Sequence, residues 1–281
     1  MEQTEIEEDH LEEEELEETE QEIQSVQLLT KPFEVRLEAK HVKALKKIVR
    51  IADELKIEDI TFTFDGKSLS VRHMDVSRIA LLKASITLRE TVLDDFVNED
   101  ETSVFAVVLS QLKRALNIEE PTFRLDDKLY IEGKIGLKDA QISLRLVDDY
   151  DSPEEIPEPK VTFKVTTTVN VKKIIDDVEK LIADPSHLRL ISDKTGLAIE
   201  FDTELQTGKL GVYPSNGEGK ANYSIAILKA LGSGDWKLQF STDMPMKATY
   251  DIDETLYEGT SAGRKVETAS IAVWAAPRIE G

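Results

Sequence analysis

Side chains that usually carry chemistry are few and scattered in this sequence of 281 residues. The four histidines form neither an HxH nor an HExxH pattern of the kind that holds a metal ion. The glycine pairs at 217/219 and 232/234 lack the Lys-Ser or Lys-Thr that completes a phosphate-binding loop. Cysteine is absent, which excludes a thiol nucleophile, a thiolate metal site and a disulfide framework. The sequence therefore favours a binding protein over an enzyme, and it predicts no metal, nucleotide or organic cofactor.

Acidic residues dominate the charge but are unevenly distributed. The chain has 56 Asp and Glu residues against 35 Lys and Arg residues, a net charge of −21. Residues 1–22 contain 13 of these acids and no Lys or Arg, so much of the excess is local. Because this low-complexity segment has few apolar residues, we predict a disordered acidic extension over residues 1–30. A solubilising tail is favoured over a specific binding tail.

Hydropathy gives no indication of a membrane protein. No apolar run approaches the roughly 18–20 residues that a spanning helix requires. The N-terminal segment has neither the basic region nor the apolar region of a secretion signal. We therefore expect a soluble intracellular chain without a membrane partner.

The pattern of elements repeats about a proline-containing linker. Alternating strands and helical periods fill residues 31–146, residues 147–160 contain three prolines, and the same order of elements returns over residues 161–281. Short matches in the same order support an internal duplication, such as Phe-Glu-Val at 33–35 and Phe-Lys-Val at 163–165. Predicted elements include a helix over residues 41–55, an Asp-Gly hairpin at residues 65–66, and a helix over residues 170–183 with Leu181 on its apolar face. The pattern predicts an α+β protein of two duplicated domains.

Lysine and arginine residues concentrate on predicted helices. On the first helix, four of them fall within an arc of about 100°, opposite an apolar face. Such a stripe suits diffuse contact with phosphates, although an ordinary solvated lysine face has the same pattern. The third helix also carries acids, which weakens any such contact there. The candidate DNA-facing residues are Lys40, Lys43, Lys46, Lys47, Arg50, Lys113, Arg114, Lys172, Lys173, Lys180 and Lys229.

Four motifs in order resemble one known family. They are the MDxSRIAL pattern at 74–81, the LxLVD…IPEP pattern across the linker, TDMP at 242–245 and APRIE at 276–280. This combination resembles the archaeal and eukaryotic sliding clamps, the family of proliferating cell nuclear antigen, over residues 31–281. Family members are DNA polymerase processivity factors.

The resemblance implies a ring of three chains joined head to tail, with helices lining a channel around duplex DNA and sheets outside. It places the candidate cations in that channel. It also implies that the last strand of the first domain pairs with a strand of the next subunit, which would occupy two otherwise open edges. The candidate subunit interface comprises Gln141, Ser143, Arg145, Lys209, Gly211 and Tyr213.

The resemblance further implies a hydrophobic pocket beneath the linker that binds partner proteins. In the family, DNA polymerase, flap endonuclease and ligase dock there, and a clamp loader opens the ring. The candidate pocket comprises Met74, Arg78, Ile79, Val147, Ile156, Pro245, Trp274, Ala276, Pro277 and Ile279. Three features depart from the family pattern: Glu154 in the linker, a long final hairpin at 253–265, and the acidic extension.

Several interpretations stay open at this level. The ring is either a homotrimer or a heterotrimer of paralogues. A protein-binding adaptor that encircles nothing, or a checkpoint-type clamp subunit that assembles only with other chains, is the alternative. A carboxylate-based nuclease ranks last, because no ordered acidic motif occurs. The location is cytoplasmic and nucleoid-associated for an archaeal source, or nuclear for a eukaryotic one.

Overall fold

The computed structural model describes residues 31–88, 102–148, 150, 156–203, 206–256 and 264–278. Over the first half of these residues the chain forms eight strands and two helices. They are β1 (Phe33–Arg36), α1 (Ala39–Glu54), β2 (Asp59–Phe64), β3 (Ser68–Met74), β4 (Ala80–Thr87), β5 (Ser103–Val108), α2 (Leu109–Ala115), β6 (Glu119–Leu125), β7 (Lys128–Ile135) and β8 (Lys138–Arg145).

The second half repeats this order with one short additional strand. Its elements are β9 (Val165–Asn170), α3 (Val171–Glu179), β10 (His187–Asp193), β11 (Gly196–Asp202), β12 (Thr207–Tyr213), β13 (Ser215–Asn216), β14 (Gly219–Ser224), α4 (Ile225–Leu231), β15 (Asp235–Phe240), β16 (Met246–Leu256) and β17 (Arg264–Ala275). The predicted α+β class with two duplicated domains is confirmed.

Three antiparallel sheets carry the strands. Two have four strands, in the orders β1-β6-β7-β8 and β12-β11-β10-β14. The third has nine, in the order β13-β9-β15-β16-β17-β4-β3-β2-β5, and joins the two halves through the pairing of β17 with β4. A buried residue such as Leu82 alternates with an outward residue such as Lys83 along this sheet, so one face is apolar and the other polar.

The four helices lie side by side against the apolar sheet faces. Helix α1 contacts β4, β17, α2 and α4, and α3 contacts α4, which gives the order α2-α1-α4-α3. The apolar stripe of α1, including Leu45, Ile48 and Ala52, is buried, as its 3.6-residue period dictates. A capping box starts this helix, since the Glu38 N–H donates to His41 Nδ1 at 3.2 Å. We call this arrangement the helix layer.

Two predicted boundaries differ from the structure. Helix α3 ends at Glu179, because Leu181 N and Ile182 N both bond to the Val178 carbonyl and Pro185 follows. Leu181 is consequently 61% exposed, contrary to its predicted place on the apolar face. After the linker the first strand starts at Val165, whereas the sequence predicts a strand from residue 161.

Candidate functional site

Cations connect neighbouring helices of the helix layer. Lys113 of α2 bonds to Asp53 of α1 at 2.5 Å, and Lys229 of α4 pairs with Glu179 of α3 at 2.6 Å. Lys172 pairs with Asp176 within α3, and Lys180, just after this helix, pairs with Asp177. At the start of α1, Lys40 pairs with Glu38. These pairs are solvent-exposed, so each contributes little to stability. They do reduce the positive charge that these lysines present to a ligand.

Helix α1 is held to α4 by two of the predicted DNA-facing cations. Arg50 Nη2 donates to the carbonyls of Ala230 and Leu231 at 3.1 and 2.9 Å, at the C-terminus of α4. Lys47 Nζ donates to the Ser233 carbonyl at 2.7 Å and lies 3.7 Å from the centroid of the Tyr250 ring. These contacts give both side chains a structural role between the two halves of the chain.

Gly232 makes the close approach of Arg50 possible. Its φ of +65° with a ψ of −152° is a backbone conformation that essentially only glycine adopts, and a Cβ there would lie 1.9 Å from Arg50 Nη2. The guanidinium therefore occupies the space that any larger residue at 232 would fill. This contact explains why a glycine stands at the end of α4.

Removing the Arg50 side chain should destabilise the protein measurably. Arg50→Ala leaves two carbonyls at the end of α4 without their charged donor, which we expect to cost about 2 kcal/mol of unfolding free energy. Urea unfolding measures the change. Lys46→Ala on the same helix is the matched control, because Lys46 is exposed and makes no salt bridge within the described residues. Equal stability of the two variants would contradict the structural role of Arg50.

Lys47 should give the protein a distinctive pH dependence. Burial, with the nearby charges of Arg50 and Lys43, lowers its pKa from 10.5 to about 8. Between these values the folded state binds fewer protons than the unfolded state, so this group makes stability rise with pH. We expect the wild type to gain stability relative to Lys47→Met between pH 8 and 10.5. Parallel urea-unfolding series on both proteins measure this gain, and a constant difference would refute it.

Four of the predicted cations are exposed on the helix layer without a salt bridge among the described residues. Among the residues that the structure describes, no salt bridge involves Lys43, Lys46, Arg114 or Lys173. They lie on α1, at the end of α2 and at the start of α3. Of the eleven cations that the sequence predicts on this surface, these four have no salt bridge among the described residues. The other seven bond to groups within the chain.

A second surface forms on the opposite, outward face of the nine-stranded sheet. Leu81, Ile156 and Trp274 are buried together, with Met74 and Phe163 packed against them. Trp274 is directly opposite Leu81 in the pairing of β17 with β4, and its ring is 5.7 Å from that of Phe163. We call these five residues the apolar cluster.

The loop before β4 forms the border of the apolar cluster. The buried Asp75 carboxylate accepts the N–H groups of Ile79 and Ala80, both at 2.7 Å, while Arg78 adopts a φ of +56°. Ala276 N in turn donates to the Ile79 carbonyl at 2.8 Å, which continues the ladder between β4 and β17. This network presents Ile79 to solvent, where it is 43% exposed.

The structure brings together most of the predicted pocket. Met74, Ile156 and Trp274 belong to the apolar cluster, and Ile79, Ala276 and Pro245 adjoin the ends of its strands. Other members of the predicted set are placed differently. Val147 bonds to Ala106 on β5, at the far edge of the sheet, while Arg78 and Pro277 lie on the exposed border and Ile279 lies outside the described residues.

Sequence reasoning missed two members of the apolar cluster, Leu81 and Phe163. Leu81 follows Ile79 by two residues on one strand, and the alternation of strand side chains could have found it. The sequence predicts a strand over residues 161–169 that contains Phe163, whereas Phe163 lies before β9, which starts at Val165. Glu154, a departure from the family pattern, lies outside the described residues.

The predicted interface residues lie on two edge strands, one in each half of the chain. Strand β8, with Gln141, Ser143 and Arg145, ends one four-stranded sheet, and β12, with Lys209, Gly211 and Tyr213, ends the other. Each strand has no partner on its outer side among the described residues. The other edge strands of these two sheets, β1 and β14, offer less backbone for pairing with a neighbour. β1 has four residues, and on β14 the Asn222 carbonyl already accepts a hydrogen bond from Arg278 N.

One sequence pattern that is typical of a catalytic serine can be interpreted only with the fold. The sequence-based expectation that no nucleophile-elbow motif occurs is wrong, because residues 259–263 read Gly-Thr-Ser-Ala-Gly and have its spacing. A nucleophile elbow stands at a strand-to-helix turn. Here the segment connects the antiparallel strands β16 and β17 and lies outside the described residues. Across the described ranges, no group of three or more metal-ligating side chains occurs and no helix is long and apolar enough to span a membrane.

Comparisons with known proteins point to one family. No family model matches the chain. The DNA polymerase sliding clamp 1 of Thermococcus kodakarensis is 26% identical over 239 residues, covering 79% of this chain and 93% of that relative. In the solved PCNA2–PCNA3 complex of Sulfolobus tokodaii, a chain matches with a TM-score of 0.65 and 16% identity, covering 89% and 100% of the two chains. The PCNA of A. fulgidus, solved with the C-terminal region of FEN-1, matches with a TM-score of 0.62 and 17% identity, covering 89% and 99%.

Proposed function

We propose that this chain, a sliding clamp protein of the proliferating cell nuclear antigen (PCNA) family, encircles duplex DNA and tethers replication and repair enzymes to it. Its mechanism is topological. A closed ring retains DNA without strong local binding, so processivity and free sliding are compatible. No bond is made or broken by the protein, and we propose no catalytic activity.

The observation that carries this proposal is the placement of the two free edge strands. Strands β8 and β12 lie at the ends of separate sheets, on either side of a shared helix layer. A contact between β8 of one copy and β12 of the next is heterologous, and such contacts close into a ring when the rotation fits. Exposed apolar side chains on both strands, Ile142 at 37% and Val212 at 57%, support coverage by a neighbour.

Charge near the two edges is complementary. A cleft beside β8 is lined by Glu119, Glu120, Glu132 and Asp139 with two bases, whereas a cleft beside β12 is lined by Arg189 and Lys209 with one acid. Opposite potentials of this kind favour head-to-tail association over pairing of like ends.

The helix layer would line the channel. Lys43, Lys46, Arg114 and Lys173 supply exposed positive charge without a partner among the described residues. Contacts from such side chains to phosphates position DNA without reading its sequence. Few free cations and many internally paired ones suit weak contact with DNA that moves through the ring.

The apolar cluster and its border would bind partner enzymes. The A. fulgidus PCNA is solved with the C-terminal region of FEN-1, which supports a flap endonuclease as one partner. We propose DNA polymerase and ligase as further ligands of the same surface, and a clamp loader as the protein that opens the ring. Action on DNA places the protein in the nucleoid, or in the nucleus of a eukaryote.

A heterotrimer of paralogues is the second candidate for the assembly. The solved PCNA2–PCNA3 complex shows that paralogous chains of this fold associate. Light scattering on the purified chain distinguishes the two assemblies. A mass of about 95 kDa, three times the 31.6 kDa of the chain, indicates a homotrimer, and a stable 31.6 kDa species indicates that paralogues are needed.

Retention on DNA tests the function directly. After loading onto nicked circular DNA, the ring should remain bound through gel filtration at high salt. Cutting the circle once should release it, because a ring slides off a free end. Release at equal rates from circular and linear DNA would contradict encirclement. Lys43→Gln with Lys46→Gln should reduce loading without altering the mass of the ring.

A further inference from the structure

A groove on the outward face of the nine-stranded sheet has no role in the proposed function. It has a volume of about 420 Å³ and crosses β2, β3, β4, β17 and β16. Among the described residues, three cations, Arg72, Lys83 and Lys247, line it together with a single carboxylate, Glu158. The other lining residues are small or hydroxylic. We call this site the cationic groove.

The cationic groove favours carboxylates electrostatically. Lys83 Nζ donates to Glu158 Oε2 at 2.8 Å, and Lys247 Nζ lies 3.7 Å from Glu158 Oε1. The hydrogen bond from Lys83 is the largest of the effects that lower the pKa of Glu158. Within the part of the groove that the structure describes, one carboxylate against three cations leaves an excess positive charge on an otherwise acidic protein.

Two buried donors at this site lack acceptors. Among the described residues, Arg72 Nε and Trp274 Nε1 are buried without a hydrogen-bond partner. Arg72 lines the cationic groove, and Trp274 belongs to the adjoining apolar cluster, with Lys247 Nζ 4.8 Å from the centroid of its ring. A buried unpaired donor costs free energy that a ligand with acceptor oxygens would recover.

The acidic extension leaves the described structure beside the cationic groove. The Lys31 carbonyl accepts a hydrogen bond from Ser103 Oγ at 2.7 Å, at the start of β5. Ser103 stands opposite Phe64 on β2, and the preceding residue on that strand, Thr63, lines the groove. The extension therefore starts about one strand from the rim of the groove.

Its length and charge match the site. Adjacent strands lie about 4.8 Å apart, so Lys83 on β4 is roughly 15 Å from β5 across the sheet. Glu22 lies nine positions before Lys31, and an extended chain of that length spans up to about 30 Å. All 13 acids of residues 1–22 precede this point, with no Lys or Arg among them.

We propose that the acidic extension of this chain docks in its own cationic groove through carboxylates that bind Arg72, Lys83 and Lys247. The exposed cations of the helix layer are the competing site. The position of Lys31, where the extension leaves the described structure, argues against the helix layer as the docking site. Lys31 is bonded to Ser103, at the end of β5 that is farther from α2, and α1 begins after the end of β1 that is farther from Lys31.

Docking would place the extension against the apolar cluster. This consequence, unlike the docking itself, rests on the proposed function of that cluster in partner binding. The extension would then compete with partner segments and be displaced by those that bind more tightly. The competition would weaken as salt screens the carboxylates from the groove.

The absence of cysteine in the chain permits a direct test on the full-length protein. Gln3→Cys, labelled with a nitroxide, adds a paramagnetic centre near the start of the extension without removing an acid. At low salt we expect strong loss of intensity for amide signals of β3, β4 and β16 around Arg72, Lys83 and Lys247. Raising the ionic strength to about 1 M, where the Debye length is about 3 Å, should restore them.

Charge reversal identifies the site. Lys83→Glu with Lys247→Glu should abolish the signal loss, whereas Lys43→Glu with Lys46→Glu, an equal change on the helix layer, should preserve it. The milder Lys83→Gln with Lys247→Gln serves if the reversal disturbs folding. Signal loss centred on α1, or no localised loss at low salt, would overturn the proposal. Because the experiment uses free protein without DNA or partner, such a result leaves the proposed clamp function untouched.

Discussion

Placing a charge on each free edge strand should convert the ring into monomers. Ile142→Asp with Val212→Asp puts a carboxylate at one exposed apolar position on each of β8 and β12. Every subunit contact of a head-to-tail ring contains both strands, so all three contacts are altered at once. We expect the mass by light scattering to fall from about 95 kDa to 31.6 kDa at micromolar concentration.

The control for this prediction is Val76→Asp, an apolar-to-acid change at a position that is 80% exposed and remote from both edges. It should leave the mass of the assembly unchanged. Circular dichroism should show both variants folded, since neither alters a fully buried residue. A ring that survives the double change at low concentration would exclude β8 and β12 as the subunit interface.

Charging the border of the apolar cluster should abolish partner binding. Ile79, in the loop that borders it, is 43% exposed, and Met244, two residues before β16, is 50% exposed, so aspartate at both positions should not unfold the protein. Exposed apolar side chains around a buried aromatic residue are typical interface anchors, and a loss of about 2 kcal/mol or more corresponds to roughly 30-fold weaker binding. Fluorescence anisotropy with a labelled C-terminal peptide of an archaeal FEN-1 measures the change.

Leu181→Asp provides the matched control for the peptide experiment. Leu181 is 61% exposed and follows helix α3, on the other side of the molecule from the apolar cluster. Its substitution should leave peptide affinity unchanged. Unaltered binding by the Ile79 and Met244 variant would place the partner site elsewhere, while the ring and its DNA retention would remain separately testable.

Several features of the fold could be predicted from local sequence alone. Alternation gave the hairpin about Gly66, whose φ of +79° needs glycine, and the 3.6-residue period gave the buried stripe of α1. The matching order of elements in the two halves gave the duplication. These predictions succeed because strand alternation, helical period and turn conformation are properties of a few neighbouring residues.

Charge at the helix layer shows the limit of such reasoning. The sequence placed Lys43, Lys46, Lys47 and Arg50 on one cationic arc, yet Lys47 and Arg50 bond to carbonyls that lie more than 180 residues away in the chain. A helical wheel gives the direction of a side chain from its own axis. It contains no information about which helix packs beside it.

The sequence by itself determined the strand and helix types, the duplication, the acidic extension and the family that the motifs resemble. Tertiary structure alone decided which cations stay exposed, that Leu81 and Phe163 join Trp274 in one cluster, and that Arg72, Lys83 and Lys247 share a groove with Glu158. The physical reason is the separation along the chain between the residues that interact. Backbone conformation responds to neighbours in sequence, whereas these groupings arise from packing between segments far apart in the chain, such as the pairing of β17 with β4, which joins residues nearly 200 positions apart.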